Sequence, residues 1–202
     1  MSSTGKIVVG MTGASGAIYA TRFLKQAALK FKTVYVMVSD QALQVVQTEL
    51  GIPITRGTLT SHALLGQDFG NIVFLDQRDY FSPPASGSFR HDGMVIVPCS
   101  MGTAGRIAHG TSDDLLTRSA DVCLKERRKL IVVVREMPWS TIHLRNLTTL
   151  SEAGATVLPA CPAWYTRPST LEELADTVVA RILQQLDVDQ DLMPQWQYTE
   201  PE

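Results

Sequence analysis

The chain has 202 residues, 45% apolar and 19% charged, with a formal net charge of −2. That length suits one α/β domain with a buried core and little beyond it, and the near-neutral balance excludes a global basic field for nucleic acid. No run reaches the length of a bilayer span, and the N-terminus enters a strand without the basic and apolar regions of a signal peptide, so a cytoplasmic protein without membrane insertion is expected.

In chain order, "KIVVGM" (6–11) predicts a strand and 15–31 a helix, with Ala17, Ala20, Leu24, Ala27, Ala28 and Phe31 at helical spacing. A strand "TVYVMV" (33–38) and a helix over 40–50 follow, then a strand "NIVFL" (71–75). "DQRDYFSPPASGSFRH" (76–91) is rich in Pro, Ser and Gly and predicts a long loop. A strand at 93–98 precedes helices over 101–109 and 113–127. "KLIVVV" (129–134) leads to a helix over 140–153, and "ATVLP" (155–159) to a helix over 170–186. The last helix opens with Ser169 or Thr170 three residues before a glutamate, a capping-box pattern. Most strand runs are continuous rather than alternating, as parallel strands covered on both faces require. The expectation is a doubly wound parallel sheet in three α/β/α layers, one domain over 1–186. A tail over 187–202 is expected to pack on a neighbouring subunit or to fray. In such folds ligands bind beyond the carboxyl ends of the strands. "TGASG", "SD" (39–40), "PCSMGT" (98–103) and "REMPWS" (135–140) then share one rim.

Around "GMTGASGA" a strand ends, small residues turn the chain and a helix begins, with Ser15 near its N-cap. The spelling matches neither the P-loop nor the GxGxxG fingerprint. The turn either presents free amides to an anion or is a capped helix packed closely on glycine. Asp40, about twenty residues past the glycines, is read either as a ligand for an NAD ribose or, preferred, as the N-cap of the next helix, leaving the Ser39 hydroxyl for a ligand. Arg118 and Lys125 are seven apart on one helical face, with Asp121 between them as a candidate ion-pair partner. Arg135 and Glu136 follow a strand directly, at the rim. Glu49 ends a helix whose dipole it opposes, which hints at another role. Cys99, Cys123 and Cys161 lack a CxxC pair and are expected as reduced thiols. The four histidines show no metal-ligand spacing, and no metal is expected.

Taken together, "GMTGASGAIYATR", "PPASGSF", "MVIVPCSMGT", "ADVCLKERRKLIVVVREMPWSTIHLRN", "GATVLPACPAWYTRP" and "VVARIL" resemble the UbiX/Pad1-type flavin prenyltransferases over about residues 6–196. The resemblance implies a flavodoxin-like, Rossmann-type fold and a homo-oligomer, a dodecamer built from trimers. It implies reduced FMN as acceptor, joined at N5 and C6 to a dimethylallyl group from dimethylallyl phosphate. The product would serve a UbiD-type decarboxylase. By position, FMN would contact Gly13, Ala14, Ser15, Ser39, Ser100, Met101, Gly102, Thr103 and Arg135. The donor phosphate would meet Ser86, Arg118, Lys125, Arg135, Glu136, Tyr165 and Arg181. Glu49 and Ser15 would handle protons at the flavin, and Glu136 would protonate the phosphate if burial raises its pKa.

Those residue types suit the chemistry. Ionising an allyl phosphate leaves a dianion, which arginines, a lysine and a tyrosine hydroxyl stabilise without a metal. Arg118 and Lys125 are expected to reach a site formed with another subunit; in a monomer they remain an ion-pair ladder. Two competing functions share the fold: an FMN-dependent cysteine-type decarboxylase and a non-catalytic FMN-binding accessory subunit of a phenolic-acid decarboxylase. The PxMNxxMW-like segment of the first is absent, and an intact phosphate set argues against the second.

Overall fold

A computed structural model of the chain describes residues 5–194. Six parallel strands form one sheet: β1 (Lys6–Met11), β2 (Thr33–Val38), β3 (Ile72–Leu75), β4 (Met94–Cys99), β5 (Leu130–Val134) and β6 (Thr156–Pro159), in the order β3-β2-β1-β4-β5-β6. Every residue of β4 and β5 is buried, as the continuous apolar runs predict, whereas the edge strands β3 and β6 are only partly covered. The doubly wound expectation holds.

Helices α1 (Ala17–Lys30), α2 (Asp40–Leu50), α3 (Ser61–Leu65) and α7 (Leu171–Gln185) contribute to one apolar cluster, which includes Phe23, Leu24, Val46, Leu64 and Ile182. Helices α4 (Met101–Ala108), α5 (Leu115–Lys125) and α6 (Thr141–Glu152) contribute to a second, which includes Ile107, Leu115, Leu116, Leu147 and Leu150. Each fully buried large side chain of this kind contributes about 1.5–3 kcal/mol. A bidentate ion pair between Arg22 and Asp176 ties α1 to α7, with Nε donating to Oδ1 at 2.7 Å. From β1 the chain winds outward through β2 and β3, then returns to build β4, β5 and β6 on the other side. The reversal opens a crevice between the carboxyl ends of β1 and β4, where such folds bind ligands.

Two local readings are corrected. The first helix starts at Ala17 rather than 15; its N-cap is Gly16, next to Ser15 as the turn suggested. Ser39, not Asp40, caps α2, its hydroxyl accepting from the Ala42 amide at 3.0 Å. The segment 76–91 is a loop as expected, holding a single 3-10 turn, Pro83–Ala85; α3 and the turn Arg56–Thr58 had no counterpart in the expectations from sequence. At α7 the cap is Thr170, which accepts from the Glu173 amide, while the Glu173 carboxylate reaches back to Ser169 rather than to the cap. The described part of the tail lies on the chain's own core: Val188 and Leu192 pack on the first cluster and Met193 is buried. Residues 195–202 fall outside the described range.

His91, just before β4, is buried. Its Nδ1 donates to the Gly93 carbonyl at 3.0 Å, and its Nε2 faces the Cys123 thiol at 3.9 Å. Burial pushes its pKa down; the Gly93 carbonyl opposes this, Arg128 adds to it and Asp92 opposes it. The folded state therefore resists protonation. Stability is fully present above the unfolded value of about 6.5 and is lost as pH falls through the lower folded value. Tm is expected to fall between about pH 7 and pH 5, where most carboxylates stay ionised. The fall should be shallower in His91→Gln; an equal slope in both proteins would remove His91 from the account.

Candidate functional site

The end of β1 is stapled to the end of β4 by one hydroxyl. Thr12 Oγ1 donates to the Pro98 carbonyl at 2.8 Å and accepts from the Ser100 amide at 2.8 Å, and the Thr12 amide donates to Pro98 as well, at 3.2 Å. Thr12 is 3% exposed, so water cannot take over these bonds. Thr12→Val keeps the shape and leaves the Ser100 amide unpaired, at about 1–3 kcal/mol for a buried donor. Tm is expected to fall by roughly 3–10 °C for a domain of this size; calorimetry checks this, and an unchanged Tm counts against the staple.

Beyond Thr12 the chain needs glycine at two positions. A Cβ on Gly13 would run into the Gln41 side chain, and Gly16 sits at φ +110° with the Tyr19 ring against it. The first amides of α1 are not open to an external anion, which corrects that reading of the turn. They hold the chain's own Glu49, at the end of α2: the carboxylate accepts from Gly16 N at 2.9 and 3.1 Å and from Ala17 N at 2.8 Å. Ser15 also hydrogen-bonds to it. The clash between Glu49 and its own helix dipole is thereby answered by the positive end of α1. Partial burial pushes the carboxyl pKa up. The Ser15 hydroxyl, the Ala17 and Gly16 amides and the nearby Arg135 cation outweigh it and hold Glu49 below the usual glutamate range.

Around this turn stand the other rim residues. Ala14 is buried, Ser39 caps α2, and Asp40 is held by Arg56 at 2.7 and 3.0 Å. Ser100 caps α4, donating to Thr103 Oγ1 at 3.0 Å; Met101 is buried, and nothing lies within 4 Å of a Cβ built on Gly102. Arg135, Glu136, Tyr165 and Arg181 are exposed. The Arg135 amide donates to Cys99, Glu136 accepts from the Met137 amide at 3.1 Å, and the Tyr165 hydroxyl donates to Met193 Sδ at 3.4 Å. Glu136 is not buried within one chain, contrary to the condition set for it as an acid. Arg181 donates to Gln184 at 2.6 Å and lines a groove of about 330 Å³ along β6 with Val157, Pro159, Cys161 and Val178.

Ser86, Arg118 and Lys125 gather elsewhere, where α5 meets the turn Pro83–Ala85. Arg118 donates to the Ala85 carbonyl at 3.2 Å and pairs with Asp121 at 2.8 Å, so half of the expected ladder forms. Lys125 pairs with Glu126 at 2.5 Å instead, and Ser86 and Ser88 share a hydroxyl contact at 2.9 Å. Three residues later Arg128 anchors the loop through Phe89 O at 2.6 Å, and the chain enters β5 at its amino end, away from the rim. Within one chain, Ser86, Arg118 and Lys125 therefore lie apart from Arg135 and Glu136, which follow β5 at its carboxyl end.

Sequence reasoning missed Thr12, Tyr19 and Arg56. Thr12 and Tyr19 lie within the "GMTGASGAIYATR" stretch; a threonine directly after a buried strand, beside a turn, is the only signal the first carries. All three cysteines are free; burial pushes the thiols of Cys99 and Cys123 up to about 12, while Cys161 is exposed. Among the described residues, no group of three or more His, Cys, Asp or Glu is placed to hold a metal, and no helix is long and apolar enough to cross a membrane.

Comparison with known proteins converges on one group. The Flavoprotein family profile matches residues 1–185. The curated protein "Flavin prenyltransferase UbiX" of Pseudomonas aeruginosa is 43% identical over 200 residues, 97% of this chain and 96% of that one. A crystal structure of AnUbiX (PadA1) in complex with FMN and dimethylallyl pyrophosphate superposes with a TM-score of 0.83 at 37% identity, covering 96% of this chain and 98% of that one. A dodecameric FMN-dependent UbiX-like decarboxylase from Escherichia coli O157:H7 superposes at 0.84 and 38% identity, covering 96% and 100%.

Proposed function

The chain belongs to the flavin prenyltransferase family of flavoproteins, and we propose that it transfers a dimethylallyl group from dimethylallyl phosphate to N5 and C6 of reduced FMN. The feature that carries this reading is the Glu49 carboxylate, pinned by two amides and the Ser15 hydroxyl beside Arg135, at the crevice between β1 and β4.

The rim suits a flavin nucleotide. Its donors are neutral hydroxyls at Ser15, Ser39, Ser100 and Thr103 and one cation, Arg135, and the first turn of α4 is open at Gly102. Gly13, Ala14, Met101 and Gly102 would give it small or apolar walls. Reduced FMN, when bound, supplies the electron-rich N5 and C6 centres that accept the allyl group. The chain's own groups do the rest. Arg135 and Arg181, with the Tyr165 hydroxyl, orient the donor phosphate and offset the charge it gains on leaving. Glu136 gives the departing oxygen a proton once a second copy covers its side chain. Glu49, already ionised at neutral pH, takes the proton released at ring closure, with Ser15 fixing its orientation.

The same reading includes a homo-oligomer, a dodecamer as described for the Escherichia coli relative, a single domain over 1–186, a cytoplasmic location and a UbiD-type decarboxylase as recipient. The test is anaerobic: incubate the protein with reduced FMN and dimethylallyl monophosphate, then weigh the flavin. A gain of C5H8 supports the transferase, and an unchanged flavin with both mono- and diphosphate donors refutes it.

A further inference from the structure

We infer that Tyr19 is a positioning residue for this reaction: its ring buttresses the Gly16 turn and so holds the amides that fix the Glu49 carboxylate. Tyr19 lies one turn into α1, its amide donating to the Gly16 carbonyl at 3.0 Å. Its ring folds back under that turn: Cδ2 and Cε2 lie 2.7 and 2.9 Å from where a Cβ on Gly16 would stand. Gly16 has φ +110°, a conformation with no local preference in its favour beyond glycine's tolerance, so a neighbour must select it. The ring does this, itself packed against the apolar cluster that α1 helps to form. Because Gly16 and Ala17 donate both amides to Glu49, a turn free to relax would loosen the carboxylate at the same moment.

The surroundings agree with a passive, uncharged role for the phenol. Burial pushes its pKa up, Cys161 and Glu49 add to that, and Arg135 opposes it. The charged and titratable groups around it thus come from three other elements: Glu49 from α2, Arg135 after β5 and Cys161 after β6. Those facing Glu49 are Arg135 and Tyr19 itself.

The role rests on reading Glu49 as the proton acceptor, and the experiment separates the two. In the full chain, Tyr19→Leu and Tyr19→Phe are compared with wild type. One readout is the Glu49 carboxyl carbon, titrated by carbon-13 NMR and assigned with Glu49→Gln; the other is kcat and KM for dimethylallyl monophosphate. In Tyr19→Leu the carboxyl should titrate at higher pH, and kcat should fall on the order of tenfold to a hundredfold with KM little changed, as ångström-scale misplacement of a catalytic group does. Tyr19→Phe keeps the ring and should track wild type in both. Tyr19→Met, of similar bulk without a flat ring, replaces Tyr19→Leu if the latter does not fold. A carboxyl titrating as in wild type without the ring, or a Tyr19→Phe variant displaced as far as Tyr19→Leu, overturns the assignment. Undiminished turnover in Glu49→Gln would instead sink the proton-acceptor reading, while the NMR titration would still report whether the ring holds the turn.

Discussion

Glu49→Gln is expected to keep reduced FMN bound and to stop prenylated flavin from forming. The substitution keeps the side chain's length and one oxygen for the Gly16 and Ala17 amides, which Glu49 engages at 2.8–3.1 Å, so the turn survives. What it removes is the negative charge and the lone pair that takes a proton. Loss of a positioned general base typically costs about 10²–10⁴ in rate. Flavin titration should give near wild-type affinity while mass analysis of the anaerobic reaction shows little C5H8 addition. Turnover at the wild-type rate would take Glu49 out of the mechanism. The pH dependence carries a sign as well. Glu49 is held below the ordinary glutamate value, chiefly because the Ser15, Ala17 and Gly16 hydrogen bonds and Arg135 outweigh partial burial. Activity that needs its ionised form is therefore complete at neutral pH and declines only as pH falls through that lowered pKa, beneath the ordinary glutamate range. The stability the ionised group contributes runs the same way, present above the unfolded pKa and lost on acidification.

The scaffold was legible because its signal is local. Continuous apolar runs such as those of β4 and β5 are buried on both faces, the pattern of parallel strands between helical layers. α3 escaped because five residues, "SHALL", carry less than two turns of periodicity. The caps were harder for a different reason. The amides that open α1 at Gly16 and Ala17 are met by a carboxylate more than thirty residues away, and nothing within the turn announces it. Asp40 has the chemistry of an N-cap, yet Arg56 engages it and Ser39 takes the position one residue earlier. Glu49 was noticed through its conflict with the helix dipole, but its partner on α1 is a tertiary fact. The donor-phosphate set was legible only through resemblance. Arg118 and Lys125, seen alone, read as surface ion pairs, and within one chain that is how they behave.

That behaviour leads to the second large effect. Arg135 and Arg181 belong to the rim and the β6 groove, whereas Ser86, Arg118 and Lys125 sit on and beside α5 near the amino end of β5. If all of them bind one phosphate, the second group must come from another copy of the chain. Exposed apolar side chains suit such an approach: Met137, next to Glu136, is 83% exposed, Ile142 at the start of α6 67% and Trp164 after β6 69%. Arg118→Ala and Arg135→Ala should then each lower turnover by about 10²–10³, the effect of losing one charge-stabilising donor. Co-expressed with different tags and purified as a mixed assembly, the two variants should recover activity. A site drawing its rim from one copy and its α5 group from another is intact wherever an Arg118→Ala copy supplies the first and an Arg135→Ala copy the second, roughly a quarter of sites under random mixing in a closed assembly. A site built within one chain gives no recovery at all, because every copy lacks one of the two arginines. Inactive mixed assemblies, with both parents folded and oligomeric by light scattering, would therefore return Arg118 and Lys125 to the surface ion pairs they form in the single chain.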